Sequence, residues 1–469
     1  MKKIVSSIKE FYTENKKAIL IILGLGIGIR LILLVSLLVY GGTNTLIWGD
    51  TAQYLNLAQN VVEGDGYIYD KFDGLPNAYR PPGYPAYLMP FVYFGIPLWV
   101  ASIPQILLST LVGVLVFFLA RKYLHFGVLT STFAGLLTVL EPMQAYYSVV
   151  LLPDILTTVL LLVGLLYIFS FLEKTHWMHL GIGAVLLGIS LYIRPVALYL
   201  GVLLLVAYTL RDYWRGKIVW IRTGALLFVV VVMMFAMMPW QARNLNVFGV
   251  ADFVSAGAYN FFTYGATFTN AVAKGIGYDE SLEELRTRYE GGLPDKNDRR
   301  SMKNNEYYNT VSKEVILNNP VPYTTAYLIG LNTFFFSGNY HQILKHHGLI
   351  DAPQRGLSFS LILSNEGPVA VLKTLGKHVF TPYVGLALFG KIFWVLISVG
   401  AFIGMWLFRK HEFTFMACIV TLYFCATLLQ TTMGVEARHR YTLNPLLFLY
   451  FSAMLSYVYA YYIRRRTAL

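Results

Sequence analysis

Uninterrupted apolar stretches, each about as long as a bilayer is thick, recur from one end of this chain to the other, and they leave it few folds. At roughly 20 residues per crossing, ten candidate spans fall at about 18–40, 97–120, 126–141, 151–172, 178–193, 196–211, 218–240, 383–408, 413–433 and 441–463. Backbone polar groups in hydrocarbon must be paired within their own segment, so each span is expected to be a helix. The fold class is therefore all-α and polytopic, a bundle of about 10–11 transmembrane helices. Only 13% of the 469 residues are charged, about half the share of a soluble domain, so there is too little charge to solvate so much apolar surface.

The net charge of +12 is not gathered into one face. The bases cluster at the ends of the apolar stretches, where they set orientation, and nucleic-acid binding is not expected. With the lysine-rich N-terminus placed inside, Arg121-Lys122, Lys174, Arg211-Arg215-Lys217, Arg409-Lys410 and Arg464-Arg465-Arg466 all fall on the cytoplasmic side. Both termini are then cytoplasmic in a multi-pass cell membrane. Met1–Lys17 carries no A-x-A-like cleavage site, so the first apolar stretch is expected to be a retained helix. Cys418 and Cys425 lie seven apart within one span, too far for a disulfide along a helix, and read as small buried residues.

Three segments follow from this topology: 1–240 with about seven spans and a first outer loop at 41–96, a second extracytoplasmic loop at 241–380, and a C-terminal hairpin and last span at 381–469. Both loops are too long to be simple connections. In the first, Asp50–Glu63 reads as an amphipathic helix with Tyr54, Leu55, Ala58, Val61 and Val62 on its apolar side, ending at Gly64-Asp65-Gly66. The apolar stretch 84–94 is expected to lie in the interface. In the second loop Asp279–Glu290 reads as helical, and 321–336 as interfacial, with an eleventh span as the alternative. No internal repeat of the kind that builds inverted-repeat transporters is present.

The informative charges are those near the outer ends of spans: Asp50, Glu141, Asp154, Arg194, Arg243 and the run Glu436, Arg438, His439, Arg440. Ionisable groups at that depth are costly unless paired or facing a wet cavity, so their convergence on one outward site is expected. Carboxylates beside guanidinium groups suit a particular chemistry, in which a carboxylate accepts a proton from a hydroxyl while guanidinium forks hold a phosphate leaving group. The bland alternative is that each charge snorkels to water or pairs with a neighbour. His341, His346 and His347, with Lys345, offer a second cluster for metal or phosphate, with a solvated basic loop as the bland reading. Arg30, in the middle of the first span, requires an internal partner. Tyr54 is the one aromatic residue singled out as a possible sugar contact.

Trp48-Gly49-Asp50-Thr51-Ala52-Gln53-Tyr54, followed by Arg80-Pro81-Pro82-Gly83-Tyr84-Pro85, resembles the first outer loop of GT-C membrane glycosyltransferases. The nearest branch holds protein O-mannosyltransferases and lipid A aminoarabinose transferases. The order continues with Glu141-Pro142, Leu152-Pro153-Asp154, Arg194-Pro195, Pro239-Trp240-Gln241-Ala242-Arg243-Asn244 and Glu436-Ala437-Arg438-His439-Arg440-Tyr441. The resemblance implies a GT-C-like bundle that moves a sugar from a polyprenyl-phosphate donor, with inversion. It implies Asp50 and Asp154 as the catalytic acids and Arg80 near the donor phosphate. Arg243, Arg438 and Arg440 are added to that phosphate clamp on charge and side alone, and Glu141, Arg194, Glu436 and His346 are further candidates. Some relatives engage a divalent ion, which Asp50 with Asp154 or Glu141 would offer to magnesium or manganese. The chain departs from protein O-mannosyltransferases in carrying Asp50-Thr51 where they typically carry Asp-Glu. The expected partners are the lipid-linked donor, membrane lipids and an acceptor (protein, lipid or glycan) that the sequence does not name. A transporter or flippase of a lipid-linked or small polar substrate, and an envelope polysaccharide polymerase or ligase, are the competing classes.

Overall fold

The computed structural model describes residues 2–69, 74–216, 220–350 and 381–467, with single positions between 367 and 376. Lys217 and the side chains of Lys2, Lys3, Lys9 and Arg464–Arg466, used above for orientation, lie outside the described residues, as does most of 351–380.

The ten expected spans all fall on helices: α1 (Lys2–Gly41), α4 (Leu98–Lys122), α5 (Val128–Leu140), α7 (Asp154–Lys174), α8 (Trp177–Ile193), α9 (Leu200–Trp214), α10 (Trp220–Phe248), Pro382–Leu407, Glu412–Thr427 and Asn444–Thr467. Among the described residues, six helical segments are long and apolar enough to cross a membrane, and three shorter apolar helices, α5, α8 and Glu412–Thr427, accompany them. Helix α10 runs on through Pro239 to Phe248, past the boundary expected at 240. The outer-loop expectations also fall on helices: α2 (Thr51–Glu63), α3 (Gly83–Tyr93), α13 (Tyr278–Tyr289) and α15 (Pro320–Phe336). Gly64, in the left-handed conformation, closes α2. At 17 residues, α15 is as long as α8.

Small residues set the closest helix contacts. A Cβ on Gly113 would come within 3.0 Å of the Gly135 carbonyl, and one on Gly183 within 2.8 Å of the Gly164 carbonyl. These contacts draw α4 onto α5 and α7 onto α8, as expected where packing rather than water drives helix association. Arg30 is fully buried on α1 and donates to the Ser109 and Ser148 hydroxyls and to the Gly26 and Val139 carbonyls. Its internal partners are thus neutral acceptors from four segments, not an acid. Cys418 and Cys425 are free and half-buried.

The helices alternate direction, so the bundle has two distinct ends. At one, Tyr123 packs on Phe169 and Phe413, Phe126 packs on Phe408, and Arg211 pairs with Glu412 at 2.5 Å. At the other lie the end of α1, the starts of α4 and α7 and the end of α8. There Ser102 donates to the Val149 carbonyl, and Thr51 reaches the Leu151 carbonyl. Beside this second end α11 (Ala256–Asn260), α12 (Thr267–Lys274), α13 and α14 (Asn305–Asn318) enclose a small core of their own, with Phe262, Leu285, Tyr308 and Val311 inside.

Candidate functional site

Asp50 sits in the turn between α1 and α2. Gly49 before it adopts a left-handed φ of +58°, and a Cβ there would approach Arg438 Nη1 to 3.5 Å. Glycine suits this turn because its left-handed φ is one that other residues rarely adopt. The Thr51 hydroxyl lies 2.7 Å from both the Trp48 and Leu151 carbonyls and straps the turn to the loop ahead of Asp154. Thr51 is fully buried, so the position where the resemblance expects a second acid has a structural role.

Two arginines from distant parts of the chain meet on Asp50. Arg80 Nη2 lies 2.6 Å from Oδ1 and Arg438 Nη2 lies 2.5 Å from Oδ2. Arg438 reaches on to Asp154, its Nε 3.5 Å from Oδ2; these two atoms have no hydrogen-bond partner among the described residues. Asp154 opens α7, and its Oδ1 accepts from Arg194 Nη1 at the end of α8. The Asp154 side chain is 1% exposed and that of Asp50 27%, so Asp50 forms the open edge of the cluster. Burial alone would raise the Asp50 carboxyl, but the Arg80 and Arg438 guanidinium groups, with Arg194 behind, hold it far below the usual carboxylate range. Three guanidinium groups against two carboxylates leave one positive charge. Buried at a membrane protein's edge, that surplus favours one anion.

Arg80 is held partly by residues to which sequence reasoning gave no role: Gln53, Tyr67, Asn77 and Tyr79. Arg80 Nε donates to Gln53 Oε1 at 2.8 Å, and its guanidinium lies over the rings of Tyr54 and Tyr79. Asn77 Oδ1 accepts from the backbone N–H groups of Tyr79 and Arg80, and the Tyr67 hydroxyl donates to the Arg80 carbonyl. Arg438 lies in the 3-10 turn Ala437–Arg440, which Glu436 and His439 close with a reciprocal capping box. Burial and the nearby Arg194 and Arg438 hold the His439 imidazole down at about 4.

Other candidates lie apart from this cluster. Arg440 is fully buried over the Trp394 ring and donates to the Phe334 and Ser337 carbonyls and to Asn444 Oδ1. It caps the end of α15 and has no partner in the Asp50 group. Arg243 donates to the Asn77 carbonyl at 2.9 Å and stacks on Trp240, so it touches the loop that carries Arg80 rather than Asp50. Glu141 caps α6 (Pro142–Val149), accepting from the Gln144 N–H at 2.6 Å, with Arg440 and Tyr340 as its charged and polar neighbours. The histidines diverge: His341 faces Tyr383, His346 bonds the Tyr146 hydroxyl beside Trp48, and His347 bonds Ser36. No shared cluster forms from them.

A divalent ion does not fit these residues. Both oxygens of Asp50 face guanidinium groups, Asp154 is likewise paired, and Glu141 stands elsewhere. No group of three His, Cys, Asp or Glu side chains able to hold a metal exists among the described residues. Three neighbouring guanidinium groups would also repel a dication.

Residues 80–240, about a third of the chain, match the family model described as dolichyl-phosphate-mannose-protein mannosyltransferase. The matched segment holds Arg80, Glu141, Asp154 and Arg194. No curated protein and no solved structure matches the chain. With the apolar helices, the match supports a membrane glycosyltransferase that draws on a polyprenyl-phosphate-linked sugar.

Proposed function

We propose that the chain transfers a sugar from a polyprenyl-phosphate donor to a hydroxyl acceptor, with inversion and with Asp50 as the base. The observation that carries this reading is the cluster itself. A carboxylate at an open edge is flanked by guanidinium groups whose surplus of one positive charge suits a phosphodiester monoanion. In the reaction the acceptor oxygen attacks the anomeric carbon as the bond from that carbon to the phosphate oxygen breaks. The acceptor proton passes to Asp50, and the phosphodiester leaves as a phosphomonoester. That leaving group is already a stable anion and needs no general acid. Arg80, Arg438 and Arg194 lower the barrier by binding the charge that develops on it. Asp154, behind Arg194 and Arg438, orients both.

The basic residues at the ends of α4, α7 and α9 gather at the bundle end opposite Asp50, which supports placing that end in the cytoplasm and the site outside. The family match supports the donor class. The test is turnover of purified protein against a panel of polyprenyl-phosphate sugars. Release of polyprenyl phosphate from one donor, reduced about 10²–10⁴-fold in Asp50→Asn, is the expected result. Undiminished release in the variant would sink Asp50 as the base.

A further inference from the structure

Without a donor, the groups proposed to bind phosphate are turned onto the base. Asp50 presents one oxygen to Arg80 and the other to Arg438, at 2.6 and 2.5 Å. The other anchors of these arginines take a different nitrogen: Gln53 holds Arg80 Nε, and Asp154, itself 1% exposed, faces Arg438 Nε. The donor edges nearest the open side are thus the ones on Asp50, which is far more exposed than Asp154. A phosphodiester has two non-bridging oxygens and binds guanidinium forks as a carboxylate does. Its two oxygens are a one-for-one replacement for those of Asp50.

Resting on the function proposed above, we propose that Asp50 is an internal stand-in for the donor phosphate, competing with it for Arg80 and Arg438, so that donor binding releases the base and precedes acceptor activation. The exchange couples two events that a static pocket would leave independent. Until the donor arrives, Asp50 is tied to two cations and is a poor proton acceptor. Once the phosphate takes its place, Asp50 loses those partners beside the newly positioned anomeric carbon and regains basicity. The surplus positive charge of the cluster draws the donor in, and the exchange leaves no guanidinium without an anion.

The experiment is calorimetric titration of full-length protein in nanodiscs with farnesyl phosphate, comparing wild type, Asp50→Asn and Asp154→Asn. Removing the competitor makes Asp50→Asn bind about tenfold tighter or more, while Asp154→Asn, which removes the same charge together with the carboxylate that orients Arg194 and Arg438, binds no tighter than wild type. Equal tightening in both variants would mean that charge alone governs binding and would overturn the exchange, as would weaker or unchanged binding in Asp50→Asn. If farnesyl phosphate binds wild type with either of those outcomes, the donor reading survives and only the exchange fails. If it does not bind wild type at all, the functional reading fails with it. A second measurement needs no variant: infrared difference spectra of wild type on adding farnesyl phosphate contain a shifted carboxylate stretch if the ion pairs exchange. A difference spectrum without a carboxylate band rejects the proposal.

Discussion

Arg438 and Arg440 stand two residues apart in one turn, yet they belong to unlike polar clusters. Arg438 faces the carboxylates of Asp50 and Asp154, side-chain anions at or near an open edge. Arg440 faces the carbonyls of Phe334 and Ser337 and the amide of Asn444, buried over the Trp394 ring with Glu141 as its charged neighbour. Carbonyls at the end of a helix cannot leave without unravelling it, and they carry no net charge to trade. A carboxylate can be displaced by another anion that satisfies the same forks. One cluster is therefore suited to exchange and the other to permanence, although both use the same side chain.

The largest test of this contrast is Arg438→Gln. Transfer is expected to fall about 10²–10³-fold with thermal stability little changed, as read by steady-state turnover beside a melting curve. Arg440→Gln should give the opposite signature. Orphaned carbonyls and a disturbed Trp394 contact cost about 2–4 kcal/mol, lowering the melting temperature by several degrees, while turnover per folded molecule stays within about threefold. Swapped signatures would break the comparison. Arg243→Lys keeps the charge but loses the planar stack on Trp240 and the Nη1 hydrogen bond to the Asn77 carbonyl. It should raise the KM for the donor about three- to tenfold with kcat nearly unchanged, because it acts on Arg80 through the loop.

The smallest effect is on pH. His439 is held at about 4 in the folded protein against an ordinary 6.5. Between those values the unfolded chain binds the extra proton, so stability is fully present above 6.5 and declines as pH falls toward 4. Melting temperatures of His439→Gln should depend less on pH across that window than those of wild type. An identical dependence would remove His439 from the account.

Much of the architecture was legible in the sequence because hydrocarbon demands it. Ten apolar stretches yield ten helices, α2 follows from amphipathic periodicity, and α13 falls on the segment read as helical within the charged loop. Boundaries were less legible: α10 continues through Pro239 because the helix tolerates the proline there and nothing in the composition marks its end. In the site, Asp50, Asp154, Arg194 and Arg438 were candidates by charge and position and Arg80 by the resemblance, and they meet. Arg243, Arg440, Glu141 and His346 carried the same signal and do not join them. Asn77 and Tyr67 carried no signal, being neutral polar residues of common type, and Gln53 and Thr51 stood in a matched motif without a role of their own.

The physical reason lies in what each level encodes. Hydropathy and the placement of bases record the cost of burying polar groups in lipid, a property of each segment alone, so sequence determined the helical spans and gathered the charges toward one end. Which guanidinium faces a carboxylate depends on residues 30, 40 and 388 positions apart in the chain. In a 3-10 turn of three residues each step rotates a side chain by about 120°, so residues two apart point in different directions. That rotation, together with the docking of α15 beneath Arg440, separates an exchangeable ion pair from a permanent cap, and only the tertiary structure decided it.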